Sequence, residues 1–387
     1  MAGPSIGGGV FSLGGEVSGC GRGAGFALIG ALIAGCGRHA DAPVGQTASL
    51  ISADSIPLFD VAGTAPDGTP VFGTVTGGAR FDDGRILIAN ASGPNLIVFD
   101  SAGRYVRTIG REGHGPGEFQ WPNWVGRCGG DSIFVRDQRL DRITVIAPDA
   151  TPAREIRFPY ATAELACSTS ARFIVMKTPL SAPVSMTGTA PPMMAQFLVT
   201  DAAGDSLAGM GTMKAGETRP LGLLTRLAMT DDRIYLGTAD SAFVDVYNLS
   251  GARVGALRVG GDRRPPTPAD YDHAIEQMVA VFPGQADRDQ TAKLLRTVPM
   301  PALLPAYSAL LTDPEGVLWA VTSGPGDSIT TIRGTSPDGS ALGELKLPDF
   351  FRPFEVGLGY VLGAAETPDG EQHVREYRVR RNRERPR

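Results

Sequence analysis

Few side chains in this sequence could do covalent chemistry. The four histidines are His39, His114, His273 and His373. A three-histidine zinc site would need the last three to converge, because His39 precedes the folded region. His114 and His273 fall on long connections and His373 within a strand, which argues against convergence. No G-x-S-x-G, H-E-x-x-H or EF-hand spacing occurs. The many Asp-Gly, Asp-Asp and Pro-Asp-Gly runs coincide with hairpin turns and read as turn chemistry. What remains is recognition chemistry. Arg111, His114, Glu118, Trp121, Arg139 and Tyr271 put aromatic faces and charges on long connections, and such residues anchor binding surfaces. Trp121 and Tyr271 also suit plain burial. The neighbouring glycines, Gly110, Gly113, Gly115 and Gly117, lack the Lys-Ser/Thr and the helix start of a phosphate cradle.

The elements that must position these residues are short strands. The chain has 387 residues with 51 Gly and 30 Pro, about a fifth of the total against roughly 12% in average proteins. That excess excludes a helical bundle, and a hydrophobic share of 42% excludes a disordered chain. A formal net charge of -5 gives no footprint for nucleic acid. From residue 74 to 380 the sequence runs as alternating or apolar stretches separated by turns. They group in fours: Thr74–Phe81, Arg85–Asn90, Asn95–Phe99 and Arg104–Ile109 form the first set. Four more sets follow, and a sixth, Pro353–Val356, Tyr360–Ala365 and Gln372–Val379, lacks one strand. Ile56–Val61, stranded ahead of the first set, supplies it. The predicted fold is all-β: a six-bladed β-propeller closed by an N-terminal strand, with a small helical insertion between blades four and five. The domain is placed at residues 55–380, with 381–387 a basic tail and Arg375–Arg387 a source of contacts to anionic surfaces.

One stretch carries a resemblance. Gly110-Arg-Glu-Gly-His-Gly-Pro-Gly-Glu-Phe-Gln-Trp-Pro122, followed by Asp131–Asp137 and Asp141-Arg142-Ile143, resembles the linker and first strands of NHL repeats. The sequence is similar there to exported bacterial six-bladed propellers of the NHL type, over about residues 80–147 and again at Asp313–Trp319. It departs from the pattern at Leu140 and Asn90. Within this stretch Phe119 is expected to plug the gap between two sheets, and Asp137 to fix the next loop by accepting backbone amides.

In such a blade the turns after the first and third strands share one face. Here those turns are uniformly tight. The other face holds every long connection: 110–123, 178–195, 210–222 and 260–306. Long connections gathered on one face predict that a ligand meets that face. The insertion 260–306 has helical grammar. Thr267-Pro268-Ala269-Asp270 reads as a capping box with Pro at the first helical position, and Ile275, Met278, Val279 and Phe282 form an apolar stripe. A second helix is expected over about Asp287–Arg296. The pair reads either as a fixed cap or as a mobile lid.

The amino terminus reads as an address. Residues 23–35 form an uncharged apolar run, too short to span a bilayer and suited to a signal peptide. Leu32-Ile33-Ala34-Gly35-Cys36 resembles a bacterial lipobox, which implies a signal peptide over 1–36, a lipid on Cys36 and a flexible tether over 37–54. An ordinary secretory signal is the alternative. Gly37 after the Cys favours the outer membrane where the organism has two membranes. Residues 1–21 lack a basic start, so translation is expected to begin downstream of Met1, near Val17. Cys128 and Cys167 remain in the exported part, either as a disulfide or as two buried thiols.

Two functions compete. The first is a non-catalytic, membrane-anchored propeller of the cell envelope, without cofactor, whose long-loop face binds a protein, peptide or glycan. The second is a lactonase-like hydrolase or lyase with an oxygen-liganded divalent ion, calcium first, in the central channel. An inward group of three or more carboxylates would favour the enzyme.

Overall fold

In the run Ile86–Asn90, Leu87 and Ala89 face one way and Ile86 and Ile88 the other, and all four are buried. A strand buried on both faces must lie between two layers. The computed structural model shows what those layers are, and it describes residues 50–381 except 66, 67, 70, 179–191, 218, 280–283 and 368.

Twenty-five strands and two helices make six antiparallel sheets and one insertion. The chain enters through β1 (Ile51–Ala53) and β2 (Phe59–Ala62). Blade one is β3 (Val75–Arg80), β4 (Ile86–Asn90), β5 (Asn95–Phe99) and β6 (Tyr105–Ile109). Blade two is β7 (Pro122–Arg127), β8 (Ile133–Asp137), β9 (Arg142–Ile146) and β10 (Pro152–Ile156). Blade three is β11 (Thr162–Cys167), β12 (Phe173–Lys177), β13 (Met193–Thr200) and β14 (Ser206–Gly216). Blade four is β15 (Arg226–Met229), β16 (Ile234–Gly237), β17 (Phe243–Tyr247) and β18 (Arg253–Arg258). Helices α1 (Pro268–Val279) and α2 (Gln285–Leu295) follow. Blade five is β19 (Ala309–Thr312), β20 (Leu318–Val321), β21 (Thr330–Thr335) and β22 (Ala341–Leu347). Blade six has β23 (Arg352–Gly357), β24 (Tyr360–Glu366) and β25 (Gln372–Arg381).

The ring closes as the sequence predicts. Both β1 and β2 pair antiparallel with β25, from Ile51 opposite Arg381 to Ala62 opposite His373. The first strands of the blades pack in an unbroken cycle, β3 on β7, β7 on β11, β11 on β15, β15 on β19, β19 on β23 and β23 on β3. Six apolar cores lie in the six gaps between blades, so each gap is sealed by alternate residues of two sheets.

Three boundaries differ from expectation. The closing strand begins at Ile51, inside the stretch expected as tether, and skips Ile56, which is 77% exposed. Strand β14 runs on to Gly216 across register shifts, into the stretch 210–222 expected as a long connection. Arginines read as part of a basic tail belong to β25. Arg375 is buried against Asp60 and Asp349, Arg380 pairs with Asp54 at 2.9 Å, and Arg381 with Asp313 at 2.6 Å. These pairs tie β25 to the closing strands and to blade five. Cys36, His39 and residues 382–387 lie outside the described residues.

Candidate functional site

Antiparallel order sorts the connections between two rims. Turns between first and second strands, and between third and fourth, share one rim and are tight throughout. The remaining connections share the other rim, the long-loop rim, which includes the crossing 110–121 and the helical insertion.

The crossing is built around two buried groups. Phe119 is fully buried in the core between blades one and two. Asp137, also fully buried, accepts the backbone amides of Gln120 (2.6 Å), Trp121 (3.1 Å), Arg139 (3.0 Å) and Leu140 (3.1 Å). One carboxylate therefore orders both the crossing and the next loop. Gly110 adopts φ 73°, and a side chain there would strike the Gly117 carbonyl at 2.4 Å. Sequence reasoning gave Arg142 no role, yet it supports the loop from below. Its guanidinium is 1% exposed, donates to the Gly115 carbonyl at 2.7 Å and pairs with Glu155 at 3.0 Å.

Five of the six predicted binding residues gather here in two pairs and one neighbour. Arg111 donates to Glu118 at 2.9 Å. The Gly115 amide, and after it Arg111, holds the Glu118 carboxyl below the usual carboxylate range. The Arg139 guanidinium sits 5.0 Å over the Trp121 ring. His114 is exposed on the same crossing. Tyr271 is a correction. It is buried in α1, and its hydroxyl donates to the carbonyls of Leu295 (3.0 Å) and Val298 at the end of α2. With Ile275 and Val279 it forms the stripe that seals α1 against α2 and against Leu221 of the preceding crossing.

The insertion is pinned at its start. The Thr267 amide and hydroxyl donate to Asp270 and the Asp270 amide donates back, a reciprocal cap. Asp270 is fully buried, and it also receives Arg264 at 2.7 Å and the Gly326 amide of blade five at 3.1 Å. Burial pushes its carboxyl up, but Arg264, Thr267 and Gly326 together hold it well below the usual range. Arg264 also reaches Asp327 at 2.9 Å, which ties the insertion to the same blade.

A polar group on the axis went unread in the sequence. Glu355 of β23 receives the Arg80 amide at 2.7 Å and the Tyr360 hydroxyl at 3.0 Å, and faces Arg127 of blade two at 3.8 Å. Blades six and two are not neighbours, so this contact marks the axis. Burial pushes the Glu355 carboxyl up to about 7, against the lowering from these partners. On the inner strand of blade three Glu164 faces Arg226 of blade four at 3.7 Å, and burial pushes its carboxyl up too. Each of these carboxylates thus has its own arginine. Among the described residues no three His, Cys, Asp or Glu side chains lie close enough to share a metal ion. His373 pairs with Asp60, while His273 stacks on Phe350, so these histidines go to separate partners. Cys128 and Cys167 are joined in a disulfide between the inner strands of blades two and three, with Cα atoms 5.7 Å apart.

This chain is a six-bladed β-propeller. A family model described as a 6-bladed beta-propeller (DUF5128) matches residues 77–172. Among solved structures, a protein of Bacteroides fragilis described as exported is similar at 12% identity, covering 86% of this chain and 96% of that one, with a TM-score of 0.48. A DUF4221 member from Bacteroides vulgatus is similar at 11% identity, covering 86% and 99%, also with a TM-score of 0.48. The virginiamycin B lyase of Staphylococcus aureus shares 10% identity over 84% and 93%, with a TM-score of 0.40. A search of the curated proteins returns no match.

Proposed function

We propose that this propeller is a binding module of the cell envelope, held to a membrane by lipid on Cys36, whose long-loop rim receives a protein or peptide. The observation that carries this reading is the asymmetry of the rims. The long excursions share one rim, and Leu224, Phe243, Met300, Leu303 and Ile329 expose apolar surface there at 37% to 50%. Apolar side chains left in water beside ordered loops are what a docking surface needs.

Ile51 lies opposite Arg381, and the Leu50 amide donates to the Leu342 carbonyl just past a tight turn of blade five. Both ends of the described chain therefore sit on the tight-turn rim, apart from the long excursions.

Photo-crosslinking groups at Met300 and Leu303, compared with Leu358 and Asp149 on the tight-turn rim, test the reading in native cells. A discrete adduct from the first pair alone is expected, and equal adducts from both pairs would overturn it. Cys36→Ser should release the protein from the membrane fraction.

A further inference from the structure

The arm Pro301–Ala306, which returns from the helices to blade five, lines two hollows that meet at Arg263. The first has a volume of about 160 Å³ and is walled by Gly261–Arg264, Thr322 and Arg333. The second has about 210 Å³ and is walled by Leu221, Leu223, Pro301, Ala302 and Leu303 together with Arg219 and Arg263. A cavity of about 150 Å³ is enough to admit benzene, so the second hollow has room for a side chain of leucine or phenylalanine size.

The cations at this junction are unequally matched. Arg264 has Asp270 and Asp327. Arg263 donates only to carbonyls, those of Leu304 (2.6 Å), Asp240 (3.0 Å) and Leu303 (3.1 Å). Among the described residues it has no carboxylate at ion-pair distance. Arg333 meets Glu344 at 2.7 Å through one terminal nitrogen, while its Nε is buried with no partner. The three arginines are balanced in number by Asp270, Asp327 and Glu344, but Arg263 alone faces none of them, and a planar guanidinium edge suits a carboxylate.

We propose that the paired hollows bind the C-terminal residue of an extended peptide, its α-carboxylate at Arg333 and Arg263 and its apolar side chain in the neighbouring hollow. The inference rests on the reading of the long-loop rim as the docking face and names what that face takes. Because the hollows meet at one residue, the anion and the apolar group must be joined by a short spacer, as they are on a single Cα. Backbone carboxylate capture is a recurring mode of peptide recognition.

Calorimetry on the full chain with acetyl-Ala-Ala-Leu tests it. The free acid is expected to bind at least about tenfold tighter than its carboxamide and than acetyl-Ala-Ala-Gly. Arg333→Met should erase the preference for acid over amide, and Leu303→Asn the preference for Leu over Gly. Arg263 is left intact because its three carbonyl bonds hold the arm. Equal binding of acid and amide, or no binding at millimolar peptide, would overturn the assignment. So would free leucine binding as tightly as the peptide, which would make this an amino-acid site. Failure here with rim-specific cross-links intact removes the carboxylate site and leaves the wider reading standing.

Discussion

The two rims hold their loops with the same device, an oxygen that receives backbone amides, used at different depths. On the tight-turn rim it repeats from blade to blade. Asp100 accepts the amides of Ala102 and Arg104, Asp201 those of Ala203 and Asp205, and Asn248 those of Ser250 and Ala252. All of these face water, whereas Asp313 of blade five, which takes the amides of Glu315 and Val317, is buried. On the long-loop rim the device is buried and unrepeated, with Asp137 ordering the first crossing and Asp270 the insertion. A repeated, solvated turn needs only local sequence, and the loss of one leaves the others intact. A buried carboxylate instead commits a whole excursion to one arrangement, which a recognition surface requires.

Removing Asp270 should give the largest effect. Asp270→Ala deletes the helix cap and leaves Arg264 with Asp327 alone, and losing the cap together with a charge-assisted bond costs about 2 to 3 kcal/mol. The loss is expected in the insertion alone, read as faster amide exchange over 268–295 with unchanged protection in the blades. Equal loss of protection in all six blades would show that the insertion is part of the ring's own stability, and the contrast between rims would fail. Because the Asp270 carboxyl is held low, its contribution is present above the unfolded pKa, near 4, and is lost as the pH falls below it.

Glu355 behaves in the opposite sense. Its carboxyl keeps its proton up to about 7 in the fold, whereas an unfolded glutamate releases it near 4.5. Between those values the native state binds more protons, so stability falls as the pH rises through that window. The full span amounts to roughly 3 kcal/mol. The facing groups are Arg80, Arg127, Tyr360 and Glu376, of which Arg80 and Arg127 are cations. Glu355→Gln should flatten denaturant stability between pH 5 and pH 8. A slope equal to that of the parent protein would assign the proton uptake elsewhere.

The same contrast explains what could be read from the sequence. Asp137, Phe119 and Gly110 stand within one continuous motif, and the structure gives each the place expected of it. The capping box at Thr267–Asp270 is equally local. Glu355 and Arg80 are 275 positions apart, and only closure of the ring brings them together. The hollows draw on Arg219 of the third crossing, Arg263 of the insertion and Arg333 of β21, so no spacing announces them. Tyr271 shows the intermediate case. Its place four residues before Ile275 fits the buried stripe, but the carbonyls that satisfy its hydroxyl lie on the second helix, at Leu295 and Val298. Position 90 in blade one corresponds to Asp137 in blade two. With Asn there, the side chain accepts only the Gly73 amide, at 3.2 Å, and turns its other end to Asn95. At this position the crossing into blade one thus has one amide held by a side chain, where the crossing into blade two has two.

The smallest effect belongs to the repeated turns. Asp100 pairs with Arg104 and accepts two amides, yet all of this is at the surface, where water replaces each bond. Asp100→Ser keeps a short acceptor for the turn and should move the melting temperature by no more than about 1 °C. Salt should change it little, because the ion pair contributes little to begin with. A drop of several degrees would mean that one tight turn stabilises the whole ring. In that case the two rims would differ in appearance only, and redundancy among blades would not explain why most turns of this rim rely on solvated acceptors.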